Sequence, residues 1–520
     1  MPSFVLLISL LAVAAAPDPG ARDVARQIDR QIAARLSEEH VEPVRRADDA
    51  ELLRRLSLDL IGRIPTPTEV DAFLVDKQAD KATRLVDRLL ADPPHARHFA
   101  RLWRALLLPE AAADPRMAYF QPGFEAWLVE RRRQNVGFDA LVRELLTVPI
   151  SRPDQNPEFV LRDLHKANPV AFLASKQVEP AKIATSCVRI FLGVRMECAQ
   201  CHDHPFDRWT QRQFWSQAAF FAGLERKGRG PFAPLVEAVD QHTIRMNDTS
   251  KTVPAALLDG STLADKSQKS PRLGFAEWLT SRRNPYFARA IVNRVWGELM
   301  GVGLVSPVDD FRESNPPSHP ELLQALADDF SGSGFDVTRL YRSICLSDAY
   351  QRTSARTHAD QARPELFAAM AIKPLSGDQF FDSLTLAIGR QWSEEAGQME
   401  TGELDTMRQK VIKAFGADDE SEHPKTSVPQ ALALMNGGIV SEAVDPKTSP
   451  RLKETLAAFP DSLERQIDAL YLATLSRHPS PAEQKLMVEH VSSAPPAERP
   501  QRLGNVFWVL LNSAEFRWNH

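Results

Sequence analysis

Ala50-Glu51-Leu52-Leu53-Arg54-Arg55-Leu56-Ser57-Leu58-Asp59-Leu60-Ile61-Gly62, followed by Arg63-Ile64-Pro65-Thr66-Pro67-Thr68-Glu69, decides the fold class. Leucines at 52, 53, 56 and 60 recur three and four apart, the spacing of one face of a helix. Pro65 interrupts that pattern. Thr66-Pro67-Thr68-Glu69 then has the Thr-x-x-Glu form of a capping box with proline at the first helical position, so a second helix follows directly. The same periodicity, broken by Pro and Asp-Pro, reads as helix over 22–41, 50–62, 68–77, 80–91 and 95–108. It resumes over 121–134, 137–147, 169–176, 179–192 and 210–222. No run of strands alternates with these helices, which argues against a doubly wound parallel sheet.

Composition changes after Gly223. Residues 225–230 are basic and glycine-containing, and 231–270 hold short extended-looking runs. Among them His242-Thr243-Ile244-Arg245-Met246, Asn247-Asp248 and Ser250-Lys251-Thr252-Val253 predict a small hairpin. Helical periodicity returns over 271–283, 286–300, 318–331, 336–347, 364–371 and 376–389. The polar stretch 393–427 reads as a mobile excursion. Helices close the chain over 462–476, 480–492 and 498–515, with capping-box patterns at Ser318-x-x-Glu321 and at Ser480-Pro481-Ala482-Glu483. The expected architecture is therefore mainly α: a helical domain over 22–225, an interdomain region with short strands over 226–270, and a second helical domain over 271–520.

The chain has 520 residues, 43% of them hydrophobic, and a net charge of −5. That is enough apolar material for two ordinary cores. The mild acidity leaves no electrostatic footprint for nucleic acid, and Arg131-Arg132-Arg133 reads as a solvated helix face. Residues 1–16 carry an apolar run from Phe4 to Val13 ending in Ala14-Ala15-Ala16. The pattern reads as a secretory signal and is too short to span a bilayer, although Met1-Pro2-Ser3 supplies no Lys or Arg. No later segment is apolar enough to cross a membrane. The expected location is the periplasm, the cell surface or the outside.

With only four cysteines in the chain, the cluster Cys198-Ala199-Gln200-Cys201-His202 stands out. Cys-x-x-Cys-His is the attachment signature of c-type haem: two thiols on one side of a turn add across the porphyrin vinyl groups, and the histidine becomes an iron ligand. A distal Met246 or His242 lies far enough downstream to fold back over the iron. The segment continues Asp203-His204-Pro205-Phe206-Asp207, which supports a second reading. Cys198, Cys201, His202 and His204 suit zinc, copper or iron, with Asp203 and Asp207 orienting the imidazoles from behind. A third reading has no cofactor: a disulfide between Cys198 and Cys201, or from either to Cys187. Cys187 and Cys345, each set in an apolar helical pattern, read as buried and inert.

A second dense segment runs from Val305 to Glu321. Asp309 and Asp310 beside Arg312 and His319 have the makings of an acid–base site. The structural reading is stronger, because Asn315-Pro316-Pro317 forms a rigid turn and Asp310 with Arg312 can bridge neighbouring helices. Asn293-Arg294-Val295-Trp296 reads as a helix with a core tryptophan. No nucleophile elbow, phosphate loop, dinucleotide fingerprint or His-Glu-x-x-His helix is present, so the common hydrolases and nucleotide enzymes find no support.

Leu56-Ser57-Leu58-Asp59-Leu60-Ile61-Gly62-Arg63-Ile64-Pro65-Thr66-Pro67 resembles the opening of the planctomycete cytochrome-associated domain, a domain of unknown function. Phe191-Leu192-Gly193-Val194 leading into Cys198 to Asp207 resembles its central signature. The second half resembles the partner domain that usually follows, through Asn293-Arg294-Val295-Trp296, Asp309-Asp310-Phe311-Arg312, Pro317-Ser318-His319-Pro320-Glu321-Leu322-Leu323, Leu434-Met435-Asn436-Gly437 and Leu511-Asn512-Ser513-Ala514-Glu515-Phe516. The resemblance implies export, two domains and association with cytochromes, and no particular reaction. Longer relatives carry a separate cytochrome c domain, which this sequence lacks. The expectation is an exported haem-binding redox or electron-transfer protein whose partner is a periplasmic redox protein or surface protein. The competing readings are a non-redox helical scaffold with a metal clip or disulfide, and a non-haem metal-dependent hydrolase.

Overall fold

A computed structural model of the chain describes residues 19–155, 166–247, 250–261, 270–390, 408–412 and 438–520. The signal-like run 1–16 lies outside them, as does most of 393–427, within which 408–412 is helical. The first half is a succession of helices: α1 Pro19–Glu38, α2 Asp49–Ile61, α3 Pro67–Val75, α4 Lys81–Ala91, α5 Pro93–Leu107, α6 Glu110–Ala113, α7 Pro115–Ala118, α8 Gln121–Arg133, α9 Phe138–Thr147, α10 Ala171–Ser175, α11 Pro180–Leu192 and α12 Gln211–Ala218. Two antiparallel hairpins follow, β1 Leu224–Arg226 with β2 Leu235–Glu237 and β3 Thr243–Arg245 with β4 Thr252–Pro254. Then come α13 Pro271–Leu279, α14 Phe287–Met300, α15 Pro320–Gly332, α16 Val337–Cys345, strand β5 Lys373–Pro374 and α17 Gly377–Ala387. Helices Gly438–Val444, Pro450–Ala458, Leu463–Leu475, Pro481–Ser492, Arg499–Asn512 and Ala514–Arg517 precede strand β6 Trp518–Asn519, which pairs with β5. The fold is mainly α, with only short two-stranded pieces.

Helix α2 shows how the sequence builds this. Asp48 caps it, its carboxylate accepting from the Glu51 amide at 2.9 Å, and Gly62 ends it in the left-handed region at φ 73°. Every residue from Leu52 to Ile61 is buried, so the helix is covered on all faces. Its polar side chains must then be satisfied internally. Arg54 donates to the carbonyls of Thr474 at 3.0 Å and Phe516 at 3.1 Å. Arg55 donates to those of Tyr350 at 2.7 Å and Arg352 at 2.8 Å and pairs with Glu51 at 2.6 Å. Asp59 receives the Tyr350 hydroxyl, the Lys373 ammonium and the Asn519 amide, each at 2.7 Å. The capping boxes expected at Thr66 and Ser480 both form.

Other expectations are corrected. The helix at 318–331 begins at Pro320 with His319 as its cap and no side-chain capping bond, so Ser318-x-x-Glu321 is not a capping box. His319 turns its Nδ1 to the Ser318 hydroxyl at 3.1 Å instead. Residues 364–371 are not a helix: a single 3-10 turn over Pro364–Leu366 ends at Phe367, whose φ of 53° is left-handed. Helix Pro450–Ala458 was not expected, although Ser449 caps it and Pro450 opens it.

Hydrophobic packing crosses the expected interdomain region. One buried cluster draws on residues from Val24 to Met370, with Leu472 added, and takes in α11, α12 and the 271–345 helices together. Phe220 and Phe221 meet Phe275 across residues 226–270, with ring centroids 5.1 and 5.5 Å apart. The second cluster gathers residues from Leu375 to Phe516 and includes Leu58 of α2 and Ile64 just after it. The division between the two hydrophobic clusters falls near residue 371.

Burial sets a pH response. It pushes His98 down to about 4, with Arg101 adding to the effect, and pushes His319 down to about 4, with Arg35 adding to it. Stability from these neutral histidines is complete above about 6.5 and is lost as pH falls through about 4. Glu298 opposes them: burial raises it to about 7, against the Tyr341 hydrogen bond, so its contribution is complete below about 4.5 and is lost as pH rises through about 7. With His95 and His520 also held low by burial, the histidines outweigh Glu298, and the melting temperature is expected to fall steadily between pH 6.5 and 4.5. His319→Gln should flatten that slope and Glu298→Gln should steepen it in calorimetric scans. A slope unchanged by either substitution refutes the assignment.

Candidate functional site

The motif sits on a turn held from both sides. Helix α11 ends at Gly193, whose φ of 69° requires the left-handed region. A Cβ there would lie 2.5 Å from a Phe311 ring carbon, so only glycine fits. Val194 and Met196 are buried, and a 3-10 turn over Glu197–Gln200 buries Ala199 while Cys198 and Cys201 face solvent. The Trp215 indole of α12 donates to the Gln200 carbonyl at 3.0 Å, and the Gln211 amide to that of Cys201 at 2.9 Å. Thr210 and Gln213 form a capping box at the start of α12. The turn is thus ordered by its backbone, and its two thiols remain free.

The two histidines differ. His202 Nδ1 lies 2.7 Å from the Asp203 carbonyl. A carbonyl only accepts, so Nδ1 carries the proton and the Nε2 lone pair is left available. His204 Nδ1 accepts the Phe206 amide at 3.2 Å, which places its proton on Nε2. His202 therefore has the form a metal-ligating histidine takes, and His204 does not. Asp203 and Asp207, expected behind the imidazoles, are used locally. The Asp203 carboxylate accepts the Gln211 amide at 2.8 Å and that of Asp207 the Arg208 amide at 2.7 Å. It is the Asp203 carbonyl that orients His202. Among the described residues no three His, Cys, Asp or Glu side chains converge as a metal-ligand group. Met246 is buried in the first core cluster, while His242 is half-buried at the head of the β3–β4 hairpin.

The second half of the chain reaches the site through Asp309, which sequence reading weighed as an acid–base candidate. It is buried and clamps the two ends of the motif's approach, meeting Arg189 of α11 at 2.6 Å and Arg195 at 2.6 Å. Burial works against its charge, but the two guanidinium groups hold the carboxyl below its ordinary range. The Phe311 amide donates to the Gly193 carbonyl at 2.9 Å beside this clamp. Among the described residues Asp310 pairs with its loop neighbour Arg312, at 3.2 Å, and receives the Asn315 side chain, so it serves the loop and bridges no helices there. Asn293 holds the same loop from α14 through the Val305 amide and carbonyl, both at 2.9 Å. Nothing in the sequence marked Arg189 and Arg195 as partners of a carboxylate more than a hundred residues away. In the continuation of the motif, Phe206 is 78% exposed and Arg208 lies 4.8 Å from the Trp209 ring centre, so this segment presents an apolar and a cationic side chain. Cys187 and Cys345 are buried as expected, and burial raises both thiols.

A helical scaffold that presents a Cys-x-x-Cys-His turn to solvent defines the class of this protein. The chain belongs to a known pairing: residues 27–226 match the PSCyt2 family, a protein of unknown function (DUF1549), and residues 271–491 match the PSD1 family, a protein of unknown function (DUF1553). No curated protein and no solved structure matches it.

Proposed function

We propose that this is an exported c-type haem protein that serves in redox chemistry or electron transfer, holding haem through Cys198, Cys201 and His202. The observation that carries the reading is the pairing of two free, exposed thiols on one turn with a histidine whose Nδ1–H is committed to a carbonyl. Cys198 and Cys201 would hold the group as thioethers, each formed by addition of S–H across one vinyl double bond with no leaving group. Bound haem supplies one-electron chemistry at a potential set by its axial ligands and exposure. The protein's part is to fix the thiols, orient His202 and offer the exposed Phe206 to a partner. Met246 is taken up in the core, whereas His242 is half-buried and keeps part of its side chain open to solvent. Export through residues 1–16 would put the site in the periplasm or at the cell surface, where a redox protein or surface protein can meet it.

Produced in an exporting host with c-type maturation machinery, the denatured protein is expected to keep a Soret band and to carry the added mass of one haem. Cys198→Ser combined with Cys201→Ser should lose both. His202→Ala should keep the mass and shift the native spectrum, as expected of an axial ligand. A colourless chain of unmodified mass refutes the proposal. Metal analysis and thiol titration then decide between a zinc, copper or iron site and a disulfide.

A further inference from the structure

A groove of about 940 Å³, open to solvent, lies where the two hydrophobic clusters meet and is within the size range of small-molecule sites. Three elements supply its arginines. Helix α5 contributes Arg97, Arg101 and Arg104, spaced four and three apart on one face, while α8 contributes Arg133 and the short helix 408–412 contributes Arg408. Apolar residues complete the lining: Pro122, Ala126 and Val129 repeat four and three apart on α8, on the face that continues to Arg133, and Ile412 lies one turn from Arg408. The lining thus combines a row of arginines on α5 with an apolar stripe on α8.

The carboxylates nearby hold the arginines in place. Glu125, Glu130 and Asp378 line the groove, and Asp382 stands behind it on α17. Asp378 holds Arg408 at 2.8 Å, and Asp382 binds both Arg101 and Arg408. Arg104 is fixed by Gln121 at 2.5 Å and Glu125 at 3.1 Å. These bonds orient the guanidinium forks before a ligand arrives and leave further N–H donors, since each guanidinium has five. Asp92 also acts on Arg97, so the charges are close to balance and it is the oriented N–H donors that an anion meets.

We infer that this groove binds an organic anion, an apolar body bearing a carboxylate or sulfate group, with the body against the α8 stripe and the anionic group among the arginines. The shape of the lining separates this from an inorganic ion site. A bare anion gains nothing from Pro122, Ala126, Val129 and Ile412, and a neutral apolar ligand leaves the arginine face unused. The groove shares no residue with the Cys-x-x-Cys-His turn, so the inference stands or falls independently of haem.

Calorimetric titration of the full chain with 2-naphthalenesulfonate, 2-naphthoate, 2-naphthol and sodium sulfate tests it. At least one aryl anion is expected to bind with one-to-one stoichiometry, and naphthol and sulfate about tenfold or more weakly, because each meets only half of the lining. The order of sulfonate and carboxylate identifies which anionic group the arginines prefer. Ala126→Trp, which fills the groove, and Arg97→Ala with Arg133→Ala should each weaken binding about tenfold or more while melting temperatures hold. If Ala126→Trp does not fold, the arginine pair decides. Absence of saturable binding by both aryl anions overturns the inference, as does binding that survives unchanged in the variants.

Discussion

Asp59→Ala is expected to lower the unfolding free energy by about 3–5 kcal/mol, the size of effect seen when one partner of a buried ion pair is removed. Asp59 is 6% exposed and is the common acceptor for Tyr350, Lys373 and Asn519. Without it the Lys373 ammonium keeps only the carbonyls of Glu298 at 3.0 Å and Leu299 at 2.8 Å, and no countercharge in contact. The phenol and the amide lose their acceptor at the same time. Asp59→Asn keeps the volume and one acceptor oxygen, so it should cost less than the alanine change. Urea unfolding followed by far-ultraviolet circular dichroism measures both. A midpoint for Asp59→Ala within error of the parent would show that the network carries no net stability.

Glu237→Gln is the second large effect, again about 3–5 kcal/mol by the same argument. Arg272 and Glu237 are 2% and 7% exposed along their side chains, and Arg272 also donates to the carbonyls of Leu146 at 2.5 Å and Val148 at 3.2 Å. The Ser270 hydroxyl closes the group by donating to Glu237. The glutamine keeps the shape of the side chain and strands a buried guanidinium. Replacing the pair together, Glu237→Leu with Arg272→Met, should recover most of the loss, because a matched apolar pair pays no desolvation of charge. If the double variant is no more stable than the single one, the ion pair is not the source of the stability. Hydrogen exchange should quicken first in residues 224–237 and 270–279, the two segments the pair joins.

The two examples also mark where sequence reading stopped. Helix periodicity, the capping boxes at Thr66 and Ser480, and the β3–β4 hairpin are local, and each was legible because neighbouring residues carry the whole signal. The Ser318 pattern misled because the hydroxyl is one residue too early: His319 occupies the cap and Pro320 opens the helix. Pro450–Ala458 had a visible start in Ser449-Pro450 that went unread. Strands β5 and β6 are two residues each, one of them containing proline, and no periodicity can be seen in so short a run. At the candidate site the reactive residue types were readable from spacing alone. The difference between His202 and His204 was not, because it rests on which backbone group each ring meets. The Asp309 clamp and the Arg272–Glu237 pair join residues 114 and 35 positions apart, which a pattern within one helix cannot reveal.

The acceptors of Arg54 have a consequence for how the molecule comes into being. The guanidinium in α2 is answered by a carbonyl 462 residues downstream, and Asn519 reaches Asp59 across 460. A ribosome delivers α2 early and its counterparts hundreds of residues later. The first helices must therefore wait with their buried charges unanswered, and the closing step stitches late-made sequence onto early-made sequence. Contacts of such range slow folding, since a long loop must close before they form. The two family regions are consecutive in the gene but interlocked in the product, so neither half is expected to reach its final form while the other is still missing.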